Sequence, residues 1–497
     1  MYKLLLILKY LRRKLAPLFA VLAVALCTAM VIIVSSVMGG FLQQFRDAAH
    51  RVTGDVVIEQ PVTGLPYYQE IIDRVLELPE AAAATAVIES YGLAAVPSGR
   101  TMPVQIMGID PAGFNAVTPY YDTLHWTSQD FLDHIDALIR RDPPLPAELL
   151  SQVDAARDGY ASHDIRQYAM TFELPPQWRE AHDALPVCVP GIALFNQRTQ
   201  QGKYELLYSP IVGPRWRELT LSVLPISTQG TLGAYEPARA KFVIVNEFKS
   251  GLYDIDNHRV YVPFDVLQKM LKLDSYPRVD PRTGESTGEM APARTHQIMV
   301  QAADGVDVAA LKQKIYAVVD QVSAEHPDMP LLWVQTWIDR YAGMLGAVEN
   351  EKVLVTFLFA VVSIVAFTMI AVIFYMIVLD KTHDIGVLRS LGASRAGIAS
   401  IFLGYGLAIG IVGSLLGLLA ASQIVWNINE IQDLLAQSIG FRMWDPQFYV
   451  FDKIPSDLDG LEVTWIVLVA IVSSVLGSLI PAFIAARLNP VEALRYE

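Results

Sequence analysis

The 497-residue chain has few of the residues that build reactive centres. It contains two cysteines, Cys27 in an apolar stretch and Cys188 in a part expected to be soluble, so no disulfide framework is indicated. Its nine histidines lack metal-ligand spacing, and no stretch matches a phosphate-binding G-x-x-x-x-G-K-[ST] loop or a nucleophile elbow. A hydrolase or a metalloenzyme is therefore a poor first hypothesis, and the sequence has no nucleotide site of its own.

Positive charge is also scarce. The chain carries 38 Lys and Arg residues against 51 Asp and Glu residues, and its net charge of −13 argues against binding to nucleic acid. Hydrophobic residues make up 53% of the chain, and the mean hydropathy is +0.34. This composition is too apolar for an ordinary soluble protein and too charged for membrane helices alone, so it predicts a few transmembrane helices together with a soluble domain.

Four apolar runs are long enough to cross a bilayer as helices. The predicted spans are residues 16–38, 351–379, 398–425 and 463–486. A cleaved signal peptide is the competing interpretation of the first run, but it would be shorter and would be followed by small residues at a cleavage site. We therefore expect the first run to be a retained membrane anchor.

The third run is unusually rich in glycine. Gly406 and Gly410, and then Gly413 and Gly417, have the small-xxx-small spacing that lets helix backbones approach closely. Glycine is common in membrane helices in general, but this spacing favours a helix-packing face.

The distribution of charge predicts the orientation of the spans. Residues 1–15 carry five basic residues and no acid, in the pattern of an amphipathic helix on the inner surface. Residues 426–462 carry two basic residues against seven acids, so they are expected outside. With four spans, both the tail 487–497 and the loop 380–397 are then cytoplasmic, and residues 39–350 are extracytoplasmic.

The segment 39–350 has the alternating strand and helix patterns of an α+β domain. Its ends, Gly39–Val52 and Val334–Lys352, are predicted to continue the spans as helical stalks. Residues 122–182 are charged and rich in proline, which predicts an insertion outside the core. The expected fold class is thus a membrane protein of four transmembrane α-helices with a large α+β extracytoplasmic domain inserted between helices 1 and 2. Between the stalks, strands are predicted at 55–59, 104–107, 219–223, 241–245 and 297–300, and helices at 67–78, 263–271 and 308–326.

The loop after the second span has the pattern of a short helix with defined ends. Asp380 or Thr382 is suited to cap its N-terminus, and Asp384 in the first turn complements the helix dipole. Gly392 is placed to end the helix in a left-handed turn, and Ser394 to cap the next helix.

An apolar ridge is expected along this helix. Ile385, Leu388 and Leu391 are three residues apart, and Val387 lies beside Leu391. Two interpretations remain open, because such a ridge could rest among lipid headgroups or dock into a cytoplasmic partner.

Motifs that occur in order along the chain resemble those of FtsX-like ABC transporter permeases, also called the macrolide-exporter superfamily. The loop sequence DIGVLRSLGAS (384–394) resembles the segment that couples these permeases to their ATPase. The family usually has Glu where this chain has Asp384, and the insertion is a second departure. Lipoprotein-releasing permeases are the most similar branch, through VMGGFLQQFRD (37–47), DVVI (55–58), MGIDP (107–111), FKSGLYDID (248–256), VYVPFDVLQKML (260–271) and PAFIAARLNPVEALRYE (481–497).

The resemblance implies a non-catalytic permease subunit in the inner membrane of a bacterium, with a periplasmic core domain like that of macrolide exporters. ATP and Mg would bind to a cytoplasmic ATPase dimer, and the permease itself would bind no cofactor. A second permease chain, identical or different, would complete the complex. Closure of the ATPases would move the outer domains and extract lipid-anchored or amphiphilic cargo, which a periplasmic carrier would accept.

The resemblance also implies two sets of site residues. Arg389 would contact an acidic group of the ATPase, although ordinary snorkelling is an equal alternative. The coupling set is Thr382, Asp384, Ile385, Leu388, Arg389, Leu391 and Gly392, and the cargo-cleft set is Val37, Met38, Phe41, Phe357 and Phe359.

Two other functions stay open for the same family. One is a mechanotransmitting regulator that activates a periplasmic hydrolase and moves nothing. The other is an efflux permease for small amphiphiles that works with an outer-membrane duct.

Overall fold

The computed structural model describes residues 15–96, 99–140, 164–176, 179, 185–196, 204, 218–225, 236–279, 286–439, 444, 451 and 453–488. The chain divides into two compact units. The membrane unit comprises Met1–Gln44, Met344–Asp445 and Lys453–Glu497, and the sheet unit comprises Phe45–Gly343 and Pro446–Asp452. The predicted amphipathic helix 1–15 and the tail 487–497 lie almost wholly outside the described residues.

The described helices are α1 (Leu15–Thr53), α2 (Tyr68–Leu76), α3 (Pro111–Val117), α4 (Tyr120–Thr123), α5 (Ser128–Ile139), α6 (Ile165–Thr171), α7 (Tyr253–His258), α8 (Phe264–Met270), α9 (Val308–Glu325), α10 (Trp337–Arg340), α11 (Ala342–Asp380), α12 (Thr382–Ser390), α13 (Arg395–Trp426), α14 (Ile428–Ile439) and α15 (Gly460–Arg487). The described strands are β1 (Val56–Glu59), β2 (Leu65–Pro66), β3 (Ala81–Ala95), β4 (Thr101–Ile109), β5 (Val187–Pro190), β6 (Glu218–Val223), β7 (Ala238–Ile244), β8 (Arg259–Pro263), β9 (Tyr276–Val279), β10 (Ser286–Ala291), β11 (Arg294–Thr295), β12 (Gln297–Ala302) and β13 (Trp333–Thr336).

Four of the described helices, α1, α11, α13 and α15, are long and apolar enough to cross a membrane. α1 and α11 have 39 residues each, which corresponds to about 58 Å of helix, against about 30 Å for a bilayer core. The α+β domain lies in the chain between them. The predicted fold class, four apolar helices with a large domain between the first two, is confirmed.

The glycine-rich face of α13 packs as its spacing predicts. A Cβ atom on Gly406 or Gly410 would lie within about 3 Å of Ser478 or Ser474 on α15, and one on Gly417 would lie 2.5 Å from a carbonyl oxygen of α1. Ser474 Oγ also donates a hydrogen bond to the carbonyl of Gly406 over 2.9 Å. The prediction of a helix-packing face is therefore confirmed.

The sheet unit contains a sheet in the strand order β13-β1-β12-β3-β4-β8-β5-β7-β6, in which β6 also pairs with β3. In the described part of the chain, β3, β4, β8, β5, β7 and β6 thus close into a small barrel. β13, β1, β12 and the first half of β3 form an open extension of that barrel. The 15-residue strand β3 belongs to both parts.

Apolar side chains fill both parts of the sheet unit. β6 alternates between partly exposed and buried residues, which places Leu219, Leu221 and Val223 in the barrel core. α2 and α9 cover the open extension, whose core is formed by Val56, Ile58, Ile71, Val75, Ile298, Val300, Leu311 and Ile315, among others.

The structure differs from the sequence prediction at the second stalk and at several strands, among them β3, β5 and β8. The second stalk was expected to begin at Val334, but Val334 lies in β13 and pairs with Ile58. The segment Trp333–Thr336 begins with two residues that favour strands. It forms a strand and not a helix because it pairs with β1 and completes the sheet. β3 was not predicted, because it begins with four alanines, which are weak strand formers.

The segment 122–182 was expected to stay outside the core, and this is wrong for its described parts. Leu124 and Ala169 belong to the same apolar core cluster as Val189 and Phe248. Phe131 of α5 is also buried. The segment alternates proline-rich, charged stretches with short amphipathic helices, and the helices bury their apolar faces. Residues 141–163 lie outside the described residues.

Candidate functional site

The loop between α11 and α13 contains α12, the helix that the sequence predicted there. Its N-cap residue is Lys381, and no side chain caps that end. Thr382 Oγ1 instead donates to the carbonyls of Val378 and Leu379 at the end of α11, over 3.1 and 2.8 Å. The predicted cap by Asp380 or Thr382 is therefore wrong, because the helix follows α11 without the extended residue that a capping side chain needs.

The other end of α12 is formed as predicted. Gly392 has a φ of +96°, a conformation that glycine adopts without a steric penalty. The N–H of Ala393 donates to the carbonyl of Leu388 over 3.0 Å. Ser394 Oγ accepts the N–H of Gly397 over 3.0 Å and caps α13. This sharp, hydrogen-bonded end fixes the direction of α12 relative to α13.

The predicted apolar ridge is not a single surface. Ile385 is only 3% exposed and packs with Val378, Phe402 and Ala482 inside the membrane unit. Leu388 is partly buried, whereas Leu391 is 79% exposed. Six helical positions correspond to a rotation of about 240°, so Ile385 and Leu391 point to different sides. The exposed apolar surface is instead formed by Leu391 and the partly exposed Val387, four residues apart.

Two charged residues of the coupling set are bound within the membrane unit. Lys381 Nζ donates to Asp384 Oδ2 over 2.8 Å. Arg389 Nη1 donates to the carbonyls of Ala486 and Leu488 over 3.1 and 2.8 Å. These carbonyls lie at the C-terminal end of α15, where no further helical N–H is available and positive charge is favoured. Arg389 therefore joins α12 to the end of the fourth span, a role that the sequence did not indicate.

The cargo-cleft set stays a prediction, and none of its five residues lines the membrane-unit cavity described below. Phe357 is largely exposed on α11, and the others are partly buried. The ring of Phe41 lies 6.5 Å from that of Trp444.

An apolar cavity of about 210 Å³ lies elsewhere in the membrane unit, between α1, α11 and α15. Thr28 in its wall is buried, and its hydroxyl has no partner in the described part of the chain. Small polar residues within long apolar runs are the signal that could have found this cavity. The lining residues are Val24, Cys27, Thr28, Val31, Ser363, Phe367, Ile370, Trp465, Ile466, Val469, Ala470 and Ser473.

Residues 356–490 match the sequence model of a family described as FtsX-like permease C-terminal. The match covers most of α11 and all of α12, α13 and α15. This part of the chain is an FtsX-like permease domain. The resemblance that the sequence motifs predicted is thereby confirmed.

Curated relatives of the chain are described as lipoprotein-releasing system transmembrane proteins. LolC of Xylella fastidiosa is 28% identical over 276 residues, 55% of this chain and 60% of that protein. LolC of Neisseria meningitidis is 27% identical over 52% of this chain and 57% of that protein. LolE of Haemophilus influenzae is 30% identical over 34% of this chain and 40% of that protein. The matches thus span 60% or less of these relatives' lengths.

Two solved structures cover much of the chain with low similarity. The periplasmic region of MacB from Actinobacillus actinomycetemcomitans is 10% identical, with a TM-score of 0.27, over 61% of this chain and 96% of that one. The extracellular domain of YknZ, an ABC-type transporter from Gram-positive bacteria, is also 10% identical, with a TM-score of 0.27, over 56% of this chain and 98% of that one.

Proposed function

We propose that the chain is the permease subunit of an ABC transporter of the lipoprotein-releasing type. A separate cytoplasmic ATPase would bind ATP and Mg and would supply the energy. A second permease chain would complete the complex, and lipid-anchored or amphiphilic cargo would leave the membrane for a periplasmic carrier. The descriptions of the curated relatives and the permease domain at residues 356–490 support this proposal.

The loop around α12 is the observation on which the proposal depends most. Its exposed residues Val387 and Leu391 form an apolar contact surface, and its buried face is packed against α11, α13 and α15. Arg389 adds hydrogen bonds to the end of α15. A helix held in this way moves together with the spans, so a force on Leu391 would reach them.

The orientation and the location of cargo belong to the same proposal. Both termini and α12 would lie in the cytoplasm of a bacterium, with the membrane unit in the inner membrane, and the basic residues 1–15 support this orientation. The sheet unit would then be periplasmic. The apolar cavity between α1, α11 and α15 would accept part of an acyl chain, because its lining is almost entirely apolar.

The test is ATP-driven release of a lipoprotein from proteoliposomes. The permease would be purified with the ATPase that co-purifies with it and reconstituted with a fluorescent triacylated lipoprotein. We expect ATP-dependent transfer of the lipoprotein to the soluble fraction, and none with a non-hydrolysable ATP analogue. Ser363→Phe, which fills the cavity, should reduce release, whereas Ser400→Phe on the exposed start of α13 should not.

Other outcomes of this assay would contradict the proposal. ATP hydrolysis without release, combined with activation of a periplasmic hydrolase, would identify a mechanotransmitting regulator. Release of a small dye-like amphiphile but not of the lipoprotein would identify an efflux permease.

A further inference from the structure

Strand β3 has a gap in its pairing. On the edge away from β4, it pairs with β12 up to Val87, opposite Gln297, and with β6 from Gly92 onward, opposite Val223. Residues 88–91 of β3 therefore lie between the end of β12 and the start of β6, and they pair with neither strand on this edge. The other edge of β3 stays paired with β4 throughout this stretch.

A cavity of about 400 Å³ occupies this gap. Its opening is apolar, because Val62, Tyr91 and Leu224 are all about half exposed or more. Leu271 and Leu273 form a buried apolar wall. The polar part of the lining is formed by Glu59, Glu89, Ser90, His296, Gln297 and Arg340.

The charged groups around the cavity are already paired with each other. Arg340 donates to Glu59 over 2.8 Å and to Glu89 over 3.2 Å. Gln105 donates to Glu89 over 2.5 Å, and Gln297 also donates to Glu89. Burial would raise the pKa of Glu89, but Arg340 and Arg259 outweigh it and the pKa is lowered. These pairs leave the cavity without a strong preference for an anion or a cation.

The main chain of the gap retains unused hydrogen-bonding groups. The N–H of Glu89 donates to Nδ1 of His296 over 3.3 Å, in place of a strand neighbour. Burial lowers the pKa of His296 to about 4, so its ring is neutral and the proton is on Nε2. In the described part of the chain that Nε2–H has no partner, and the carbonyl of Glu89 faces the same gap as its N–H. The side-chain oxygen of Gln297 is also buried without a partner in the described part of the chain.

We propose that this cavity binds a short extended peptide segment that carries an aliphatic side chain. One residue of an extended peptide presents its own N–H and C=O on the same edge, so it needs one acceptor and one donor there. The Glu89 carbonyl and the His296 Nε2–H supply this pair. The peptide would thus lie in the gap beside residues 88–91 and against the far side of the His296 ring, as a variant of β-strand addition in which this ring relays one hydrogen bond. Its aliphatic side chain would enter between Tyr91, Leu224 and Leu273.

This proposal is independent of the proposed transport function. It uses only contacts within the sheet unit, so a failure of ATPase coupling or of lipoprotein release would leave it standing.

The experiment is photo-crosslinking with a blocked pentapeptide. The probe is acetyl-Gly-Gly-X-Gly-Gly-amide, in which X is a diazirine analogue of leucine, added to the full-length protein in detergent. We expect crosslinks, mapped by mass spectrometry, on the peptides that contain Tyr91, Leu224 or Leu273. Excess acetyl-Gly-Gly-Leu-Gly-Gly-amide should compete at least tenfold better than the same peptide with aspartate at the centre.

Matched variants test the location of the site. Leu224→Asp at the opening and Ser90→Phe inside the cavity should each reduce this labelling at least tenfold. Leu331→Asp, an equally drastic change at an exposed leucine of the same unit that does not line the cavity, should leave it unchanged. An unchanged unfolding midpoint would show that a variant is folded.

Three results would overturn the proposal. Crosslinks outside the cavity would place the peptide elsewhere. Equal competition by the leucine and aspartate peptides would show that no apolar pocket binds the central side chain. Better competition by octylamine than by the leucine peptide would show a site for small amphiphiles. The crosslink positions and the peptide competition measured on the wild-type protein decide between these results even if both cavity variants fail to fold.

Discussion

Buried ionisable residues of the sheet unit govern how its stability responds to pH. His296 is 7% exposed, and burial lowers its pKa to about 4, below the ordinary value of 6.5. A group whose pKa is lower in the folded state stabilises the fold above its unfolded pKa, and that contribution is lost as the pH falls toward the folded pKa. The loss for His296 falls between pH 6.5 and 4 and amounts to at most about 3 kcal/mol.

Replacement of this histidine should remove the acid sensitivity of the sheet unit in that window. We expect His296→Gln, whose side-chain oxygen still accepts the N–H of Glu89, to unfold at nearly the same temperature at pH 7.5 and pH 4.8. The wild type should unfold at a clearly lower temperature at pH 4.8. Tryptophan fluorescence of the detergent-solubilised protein measures both. His258→Gln, at an exposed histidine, should behave like the wild type, and an equal drop for His296→Gln would contradict the assignment.

Arg389 is the residue that joins α12 to the end of the fourth span. Arg389→Met keeps much of the aliphatic side chain but removes the donors to Ala486 and Leu488, so we expect the membrane unit to lose about 1–3 kcal/mol. Unfolding can be followed through the reaction of Cys27 with a fluorogenic maleimide in a Cys188→Ala background. Arg395→Met, at an exposed arginine nearby, is the control. An unchanged midpoint for Arg389→Met would mean that these hydrogen bonds do not hold the loop.

At the scale of elements, the sequence predicted the helices and turns whose structure is determined by their own local residue pattern. The four apolar helices and the left-handed turn at Gly392 follow from local composition and backbone freedom. The faces of α12 did not follow, because burial of Ile385 depends on Phe402 and Ala482, which are distant in sequence. β3 could not be predicted for a similar reason, since its alanines are held extended by β12 and β4 and not by their own preference.

Among the site residues too, local pattern predicted some features and distant contacts determined others. The spacing of Ile385, Leu388 and Leu391 predicted an apolar ridge on α12, but only the neighbouring helices determine which of the three residues is exposed. The role of Arg389 and the gap in β3 arise from contacts between distant segments, and no local pattern indicates them.

The packing of α5 and α6 in the sheet unit can be tested by mutation. Phe131 is buried, with its ring 6.4 Å from that of Trp126. Phe131→Ala should therefore destabilise the sheet unit by about 3–5 kcal/mol. Thermal exposure of the buried thiol of Cys188, in a Cys27→Ser background, measures this. Gln167→Ala, at an exposed position of α6, should have almost no effect. A similarly small effect of Phe131→Ala would restore the interpretation of 122–182 as a peripheral insertion.

At the scale of the whole molecule, the orientation of the chain can be tested with single cysteines. Cys188 cannot report it, because it is fully buried. In a Cys27→Ser, Cys188→Ala background, we expect Leu331→Cys to react with an impermeant maleimide added to cells whose outer membrane has been made permeable. Leu391→Cys should react only after the inner membrane is disrupted. Both leucines are almost equally exposed, 78% and 79%, so a difference reports the side of the membrane. The opposite pattern would invert the proposed topology.

We propose that Leu391 and its neighbours on α12 bind a cytoplasmic ATPase. A fully buried leucine contributes about 1.5–3 kcal/mol, and an aspartate in its place would also bury a charge. The decisive measurement is the amount of ATPase that co-purifies with the protein, together with the ATP turnover that the protein stimulates. It compares the wild type, Leu391→Asp and the matched control Leu331→Asp at equal expression. We predict at least a tenfold loss of both for Leu391→Asp and no change for Leu331→Asp. Equal recovery and equal turnover for all three proteins would contradict coupling through α12.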